Sequence, residues 1–383
     1  MRSIAFSMIG LMLVVGLTSC VTPGAVDRTT DLPGVVKLTD VAPIEIFPAL
    51  MRHYAENSIG VAEIHNEMSR DAEEVRLEFF IPSFMDYPTA SVPIARLSAG
   101  ERATVPLNAL LSADILQVTE GTLAQASLTV KYEVDDLLFE ESYPLSVRVL
   151  DRNSIVWDDD RKAGSFVTPR DPVVMSFARA VAGAVLAAED PIPHPALAIA
   201  VALHEALDVY GISYVLEPGG HGRLEDDTLI DYLQFPRQTL SWRSGDSGDF
   251  TVLYNALLES VGIESAFVRF PGLLCSAISL QANPREAIEM GLREGEFVEI
   301  DGGAWVPVNA AVRGGGFAAA MLSAVELLNQ HNPNGDAMII TVRDAWQMFP
   351  PAALPGPEPD MAMPSIEIVI ERYAEQIQLV VDR

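Results

Sequence analysis

The fold of the C-terminal half of this chain is decided at residues 245–250, which read Gly245-Asp246-Ser247-Gly248-Asp249-Phe250. Serine and aspartate are favoured at helix N-caps, and the helix dipole stabilises acidic side chains in a first turn. An apolar stripe then recurs at helical spacing. Its members are Phe250, Leu253, Tyr254, Leu257, Leu258 and Val261. The pattern predicts a buried helix over residues 247–261 that is closed by the glycine at position 262.

Three other segments surround this helix pattern. Residues 231–240 precede it, Pro271-Gly272 is followed by Leu273, and a Trp-Val-Pro-Val strand at residues 305–308 is followed by Asn309. Together with the motif at 245–249, these segments resemble the core of bacterial transglutaminase-like proteins, which share a papain-like fold. The resemblance implies an α+β domain with a central helix, a β-sheet and crossing helices.

The resemblance also implies where catalytic groups would stand. In the family the motif is Gly-Asp-Cys-Asp-Asp, and its cysteine nucleophile corresponds to Ser247. The family's catalytic histidine corresponds to Leu273, and its acid corresponds to Asn309. By the same resemblance, Ser247 at the helix start faces Leu273 and Asn309 on neighbouring strands. Trp305, Asp246 and Asp249 are expected to line the cleft.

The chemistry of the replacements predicts that this chain is not an enzyme. A cysteine at a helix N-terminus has a lowered pKa, whereas a serine there stays protonated and needs an adjacent base. Leu273 accepts no proton, and Asn309 carries no charge to stabilise an imidazolium. Ser247 is therefore expected to be structural. The alternative is a residual acyl-transfer or peptidase activity with Ser247 as nucleophile and His204 or His221 as base, although a surface position is expected for His204.

The N-terminus resembles a bacterial lipoprotein signal. Arg2 precedes an apolar run at residues 4–16, which is too short to span a membrane stably. Leu17-Thr18-Ser19-Cys20 then resembles a lipobox, in which Cys20 receives the lipid. The alternative is an ordinary signal peptide that happens to contain a cysteine. The lipobox places the protein in the bacterial cell envelope, and Val21 favours the outer membrane, facing the periplasm or the surface.

Composition limits the possible partners. The chain has 53 acidic and 25 basic residues, a net charge of −28, which excludes nucleic acid as a natural partner. If Cys20 is lipidated, Cys275 is the remaining cysteine and is expected to be a buried, inert thiol. The six histidines show no metal-ligand spacing, so no metal and no cofactor are predicted.

The domain organisation follows from changes in hydrophobic period. Residues 1–19 are predicted to be the signal peptide and residues 20–40 a tether. Alternating patterns and turn residues over 41–152 predict an all-β, immunoglobulin-like sandwich. A transglutaminase-like domain is expected over 153–349, followed at 350–383 by a Pro-rich linker and a C-terminal helix. The whole predicts a lipid-anchored binding or scaffold module whose partner is an envelope protein or a peptidoglycan peptide.

Overall fold

A computed structural model describes residues 34–187, 194–216, 226–332 and 335–381. Helices make up 35% and strands 30% of the described residues, and the α-helices all follow the strands of the N-terminal half, which makes the fold α+β. The predicted signal peptide, Cys20, the first part of the tether and His221 lie outside the described residues. Within the described ranges, every helix is too short or too polar to span a bilayer.

The N-terminal half is built of two β-sheets. One has the order β1-β3-β7, and the other has the order β2-β9-β8-β4-β5, with β6 also paired to β4. The strands are β1 (Val36–Val41), β2 (Glu45–Ile46), β3 (Gly60–Asn66), β4 (Ala72–Phe80), β5 (Thr89–Ala90), β6 (Ile94–Leu97), β7 (Arg102–Leu107), β8 (Thr122–Val134) and β9 (Leu137–Val149). Strand β1 pairs with β3 from Val36 onward, inside the segment that composition predicted as a tether.

The longest hairpin shows why this half is a sheet structure. Strand β8 alternates buried and more exposed side chains along most of its length, as a strand with one face on a core does. Its two-residue connection to β9 is Asp135-Asp136, with φ of 51° and 63°. Both residues are in the left-handed region that a type I′ turn requires, and aspartate tolerates it better than most residues.

The C-terminal half combines helices with a five-stranded sheet of order β16-β17-β15-β14-β18. Its helices are α1 (Pro172–Leu186), α2 (Pro195–Tyr210), α3 (Pro236–Trp242), α4 (Ser247–Ser260), α5 (Pro284–Glu289), α6 (Gly316–His331), α7 (Val342–Met348) and α8 (Ile366–Val381). Its strands are β10 (Ser154–Val156), β11 (Ser213–Tyr214), β12 (Ile230–Tyr232), β13 (Ser244–Gly245), β14 (Ser265–Phe270), β15 (Leu273–Ser279), β16 (Val298–Ile300), β17 (Gly303–Val308) and β18 (Met338–Thr341).

The two halves share one core. Buried side chains of both sheets in the N-terminal half and of helices α1, α2, α4 and α6 belong to a single hydrophobic cluster. Across the junction, His53 stacks on Phe349 with ring centroids 4.5 Å apart, and its Nδ1 lies 2.9 Å from the Met348 carbonyl oxygen. The core therefore shows no break at the boundary predicted between residues 152 and 153.

The C-terminal segment is tied to the body of the protein. Within the Pro-rich stretch, Ala352 is fully buried and its N–H donates to the Ser165 carbonyl at 2.9 Å. Helix α8 buries Val369 and Val380 against the main core and lies mainly on α2. The apolar side of this last helix therefore packs on the protein itself.

Candidate functional site

Helix α4 begins where the sequence predicted, and hydrogen bonds to two acidic side chains hold its start. Asp246 is the N-cap, and its carboxylate accepts from the N–H groups of Gly248 at 2.8 Å and Asp249 at 3.2 Å. Asp249 is fully buried and accepts from the N–H groups of Asp246 at 3.0 Å and Gln234 at 2.7 Å. The two acids thus satisfy backbone donors at the helix start.

The glycine before the N-cap is required because the side chain of Asp249 lies close to its Cα. A Cβ atom at Gly245 would lie 2.7 Å from the Cβ of Asp249, a distance that real side chains do not adopt. The residue types at 245, 246 and 249 therefore all have a structural reason. Ser247 is the first helical residue and is 4% exposed.

The expected neighbours of Ser247 are engaged elsewhere. Leu273 packs against a small apolar cluster that contains Phe270 and Cys275, whereas the side chain of Leu274 joins the main core with α4. Because side chains alternate along a strand, Leu273 is on the face of β15 away from the helix. The side chain at position 273 therefore does not face the start of α4, which corrects the expectation that Ser247 faces Leu273.

Asn309 lies just after β17 and is held by its own surroundings. Its Nδ2 donates to the Ser323 hydroxyl of α6 at 3.2 Å, and its Oδ1 accepts from the Ala311 N–H at 3.2 Å. Among the described residues, no hydrogen bond or ion pair joins Ser247 to either Leu273 or Asn309. The three positions that correspond to the family's triad are therefore not assembled into one polar site.

His204 is fully buried, which corrects the expectation of a surface histidine. Its Nε2 lies 2.6 Å from Arg313 Nη2, and its Nδ1 lies 3.3 Å from Glu205 Oε1. Because the guanidinium only donates, Nε2 must be the acceptor, so Nδ1 carries the proton. Burial, and then the nearby charge of Arg313, lower the pKa of His204 and keep it neutral. Its only basic nitrogen is taken by Arg313 and is not available to Ser247.

Arg313 connects this histidine to the buried carboxylate of Asp208 on α2. Its Nη1 lies 3.1 Å from Asp208 Oδ1, and its guanidinium lies over the ring of Phe250 in the first turn of α4, 5.4 Å from the centroid. Glu205 accepts from the Phe317 N–H at 2.7 Å, which fixes the first turn of α6. This buried ionic network therefore joins α2, α4, α6 and the loop after β17.

The sequence did not predict this network, although helix α2 carries a signal for it. Helix α2 is apolar all round except for His204, Glu205 and Asp208 near its end. Polar side chains in a helix that is buried on every side must find partners, because burying them alone costs several kcal/mol. The partner, Arg313, is about a hundred residues away in sequence and only the tertiary structure identifies it.

Cys275 has the environment that was expected of an inert thiol. It is fully buried, and burial raises the pKa of its thiol far above the usual range. Among the described residues, no group of three histidine, cysteine or acidic side chains is placed to hold a metal ion.

A cleft of about 450 Å³ lies at the other end of α4. Trp305, predicted as a cleft residue on the Ser247 side, lines this cleft instead, together with Trp346. The other walls come from the C-terminal end of α4, the β16–β17 hairpin and the start of α7. The cleft and the start of α4 are thus separated by the length of that helix.

No protein-family model matches the chain, and no curated protein matches its sequence significantly. The resemblance to transglutaminase-like proteins therefore rests on the sequence motifs at residues 231–249, 271–273 and 305–309.

Proposed function

We propose that this protein is a lipid-anchored component of the bacterial cell envelope that carries a degenerate transglutaminase-like domain and acts as a binding or scaffold module. The capped start of α4 and its packing on an antiparallel sheet support the papain-like assignment. The two sheets of the N-terminal half, which share one core, support an immunoglobulin-like sandwich. An envelope protein or a peptidoglycan peptide is the proposed partner.

The observation that carries the non-catalytic part of this proposal is the environment of Ser247. Its side chain is nearly buried in the first turn of α4, where the neighbouring acids are both used by backbone N–H groups. His204, the described histidine considered as its base, is neutral and bonded to Arg313. The alternative of Ser247 as a nucleophile would therefore need another base, and acid–base assistance is typically worth about 10²–10⁴-fold in rate.

Replacing the serine tests this directly. We expect the full-length protein and Ser247→Ala to show the same background level of amide hydrolysis and transamidation on peptide and glutamine substrates. Mass spectrometry should detect no acyl-enzyme in either. Ser260→Ala, at the other end of the same helix, is the matched control. A turnover that is present in the wild type and in Ser260→Ala but lost in Ser247→Ala would establish Ser247 as a nucleophile.

The lipid anchor is tested by labelling in a bacterial host. We expect Cys20→Ser to abolish incorporation of labelled fatty acid and to remove the protein from the lipid-modified membrane fraction. A single acyl chain binds membranes only marginally, so stable anchoring depends on the several chains that a lipobox cysteine carries. Cys275→Ala is the control and should label like the wild type. Unchanged labelling of Cys20→Ser would refute the anchor.

A further inference from the structure

We propose that the cleft lined by Trp305 and Trp346 binds a primary-ammonium side chain of the lysine type, presented by a peptide. This ligand chemistry rests on the proposed binding role and gives it a specific site, but it does not depend on the resemblance to transglutaminase-like proteins. The volume of about 450 Å³ is within the range of small-ligand sites.

The charge of the cleft favours a cation. Its walls carry four carboxylates, those of Glu259, Glu264, Asp301 and Asp344, and one guanidinium, that of Arg343. Arg343 is already ion-paired with Glu264. The charge left over is therefore negative and comes from the other three acids. A positively charged group that entered the cleft would be attracted by all of them.

One of these acids is poorly solvated. Glu259 Oε1 accepts from the N–H of Ser265 at 2.7 Å and from its hydroxyl at 2.9 Å, which fixes the carboxylate at the end of α4. Burial raises the pKa of Glu259, since the charged form has lost water without gaining a full ion pair. A bound ammonium group would replace that missing solvation and stabilise the charged carboxylate.

The tryptophans supply an independent indication of a ligand. Trp305 is only 5% exposed, and among the described residues its indole N–H has no hydrogen-bond acceptor. A Cβ atom at Gly303 would lie 3.5 Å from this nitrogen, so the glycine leaves the space beside the N–H open to the cleft. The nitrogen is not sealed from solvent, so its N–H opens to the cleft and can donate to an acceptor on a ligand.

Trp346 has a different role. Its indole N–H donates to the Gly164 carbonyl at 3.0 Å, which fixes its ring in the wall of the cleft. Aromatic faces attract ammonium groups, and a peptide carbonyl is a suitable acceptor for the free N–H of Trp305. A ligand that has both a cation and a neighbouring carbonyl gives partners to the acidic side chains and to the indole N–H of the cleft. A lysine-type residue within a peptide has both groups.

The test is a titration of the full-length protein in nonionic detergent with acetyl-Gly-Lys-Gly-amide. The matched control peptide carries norleucine, which keeps the aliphatic chain and lacks the charge. Calorimetry is expected to show saturable binding of the lysine peptide. The norleucine peptide should bind at least about tenfold more weakly, because a hydrogen bond to a charged group contributes at least that factor to the affinity. Equal binding of both peptides, or no saturable binding of either, would overturn the proposal.

Variants locate the binding to the cleft. Asp301→Asn and Glu259→Gln are each expected to weaken binding of the lysine peptide about tenfold, and Trp305→Phe to weaken it less. Asp301 has φ of 51°, a conformation that asparagine adopts readily, so that variant preserves the hairpin. Trp242→Phe, at an exposed tryptophan outside the cleft, should bind like the wild type. Binding that none of the three cleft variants weakens would contradict the site, while the test with Ser247→Ala would still decide the non-catalytic role.

Discussion

Arg313→Met is expected to lower the free energy of unfolding by about 3 kcal/mol, because the buried Asp208 carboxylate loses its closest cation and keeps only the longer contact with Arg372, at 3.8 Å. The side chain of Arg313 is 11% exposed, lies beside Asp208 and supplies the donor for His204 Nε2. Methionine has a comparable length, so the main loss is electrostatic and not a cavity. Urea denaturation followed by circular dichroism measures the change, provided that the slope with denaturant concentration stays the same.

Two further variants distinguish the ionic network from a general effect of losing an arginine. Arg343→Met removes an ion pair with Glu264 in which the arginine is 71% exposed, and we expect a loss of about 0–1 kcal/mol. Adding Asp208→Asn to Arg313→Met removes the carboxylate that has lost its closest cation and should restore part of the lost stability. If Arg313→Met were no more destabilising than Arg343→Met, the network would not stabilise the fold.

Asp249→Ala is expected to destabilise the protein by about 3 kcal/mol, since a hydrogen bond to a charged group is worth roughly 1.5–3 kcal/mol and at least two N–H donors lose their acceptor. These donors are the N–H groups of Gln234 and Asp246, and the carboxylate that accepts from them is fully buried. The start of α4 and its contact with the segment before α3 should loosen together. Thermal or urea unfolding of the full-length protein gives the measurement.

Asparagine at the same position is the matched control. Asp249→Asn retains one side-chain oxygen and nearly the same volume, so its effect should be clearly smaller than that of alanine. Asp226→Ala, at an exposed aspartate, should change stability little. A value for Asp249→Ala close to that of Asp226→Ala would show that the buried aspartate is dispensable for the fold. It would also reopen the expectation that Asp249 belongs to a ligand cleft.

The elements that could be predicted from sequence are those whose signals are local. The start of α4 at Ser247 follows from capping side chains within three residues of it. Helix α2 spans Pro195–Tyr210 and ends at Gly211, whose φ of 82° suits glycine. The turn of the β16–β17 hairpin has positive φ at Asp301 and Gly302, which aspartate and glycine adopt more readily than other residues. Helix capping, hydrophobic period and turn conformation depend on neighbours along the chain, so the residue types at those positions are sufficient to predict these elements.

The surroundings of the candidate site residues depend on contacts between segments that are distant in sequence. The sequence by itself determined that Ser247 lacks the chemistry of a cysteine and that positions 273 and 309 supply neither a base nor an acid. Only the tertiary structure decided that His204 is buried against Arg313, that Leu273 is on the far face of β15, and that Trp305 lines a cleft with Trp346. Residue type fixes what a side chain can donate, accept or ionise, whereas its partners, its solvation and its accessibility are set by segments that only the folded chain brings together.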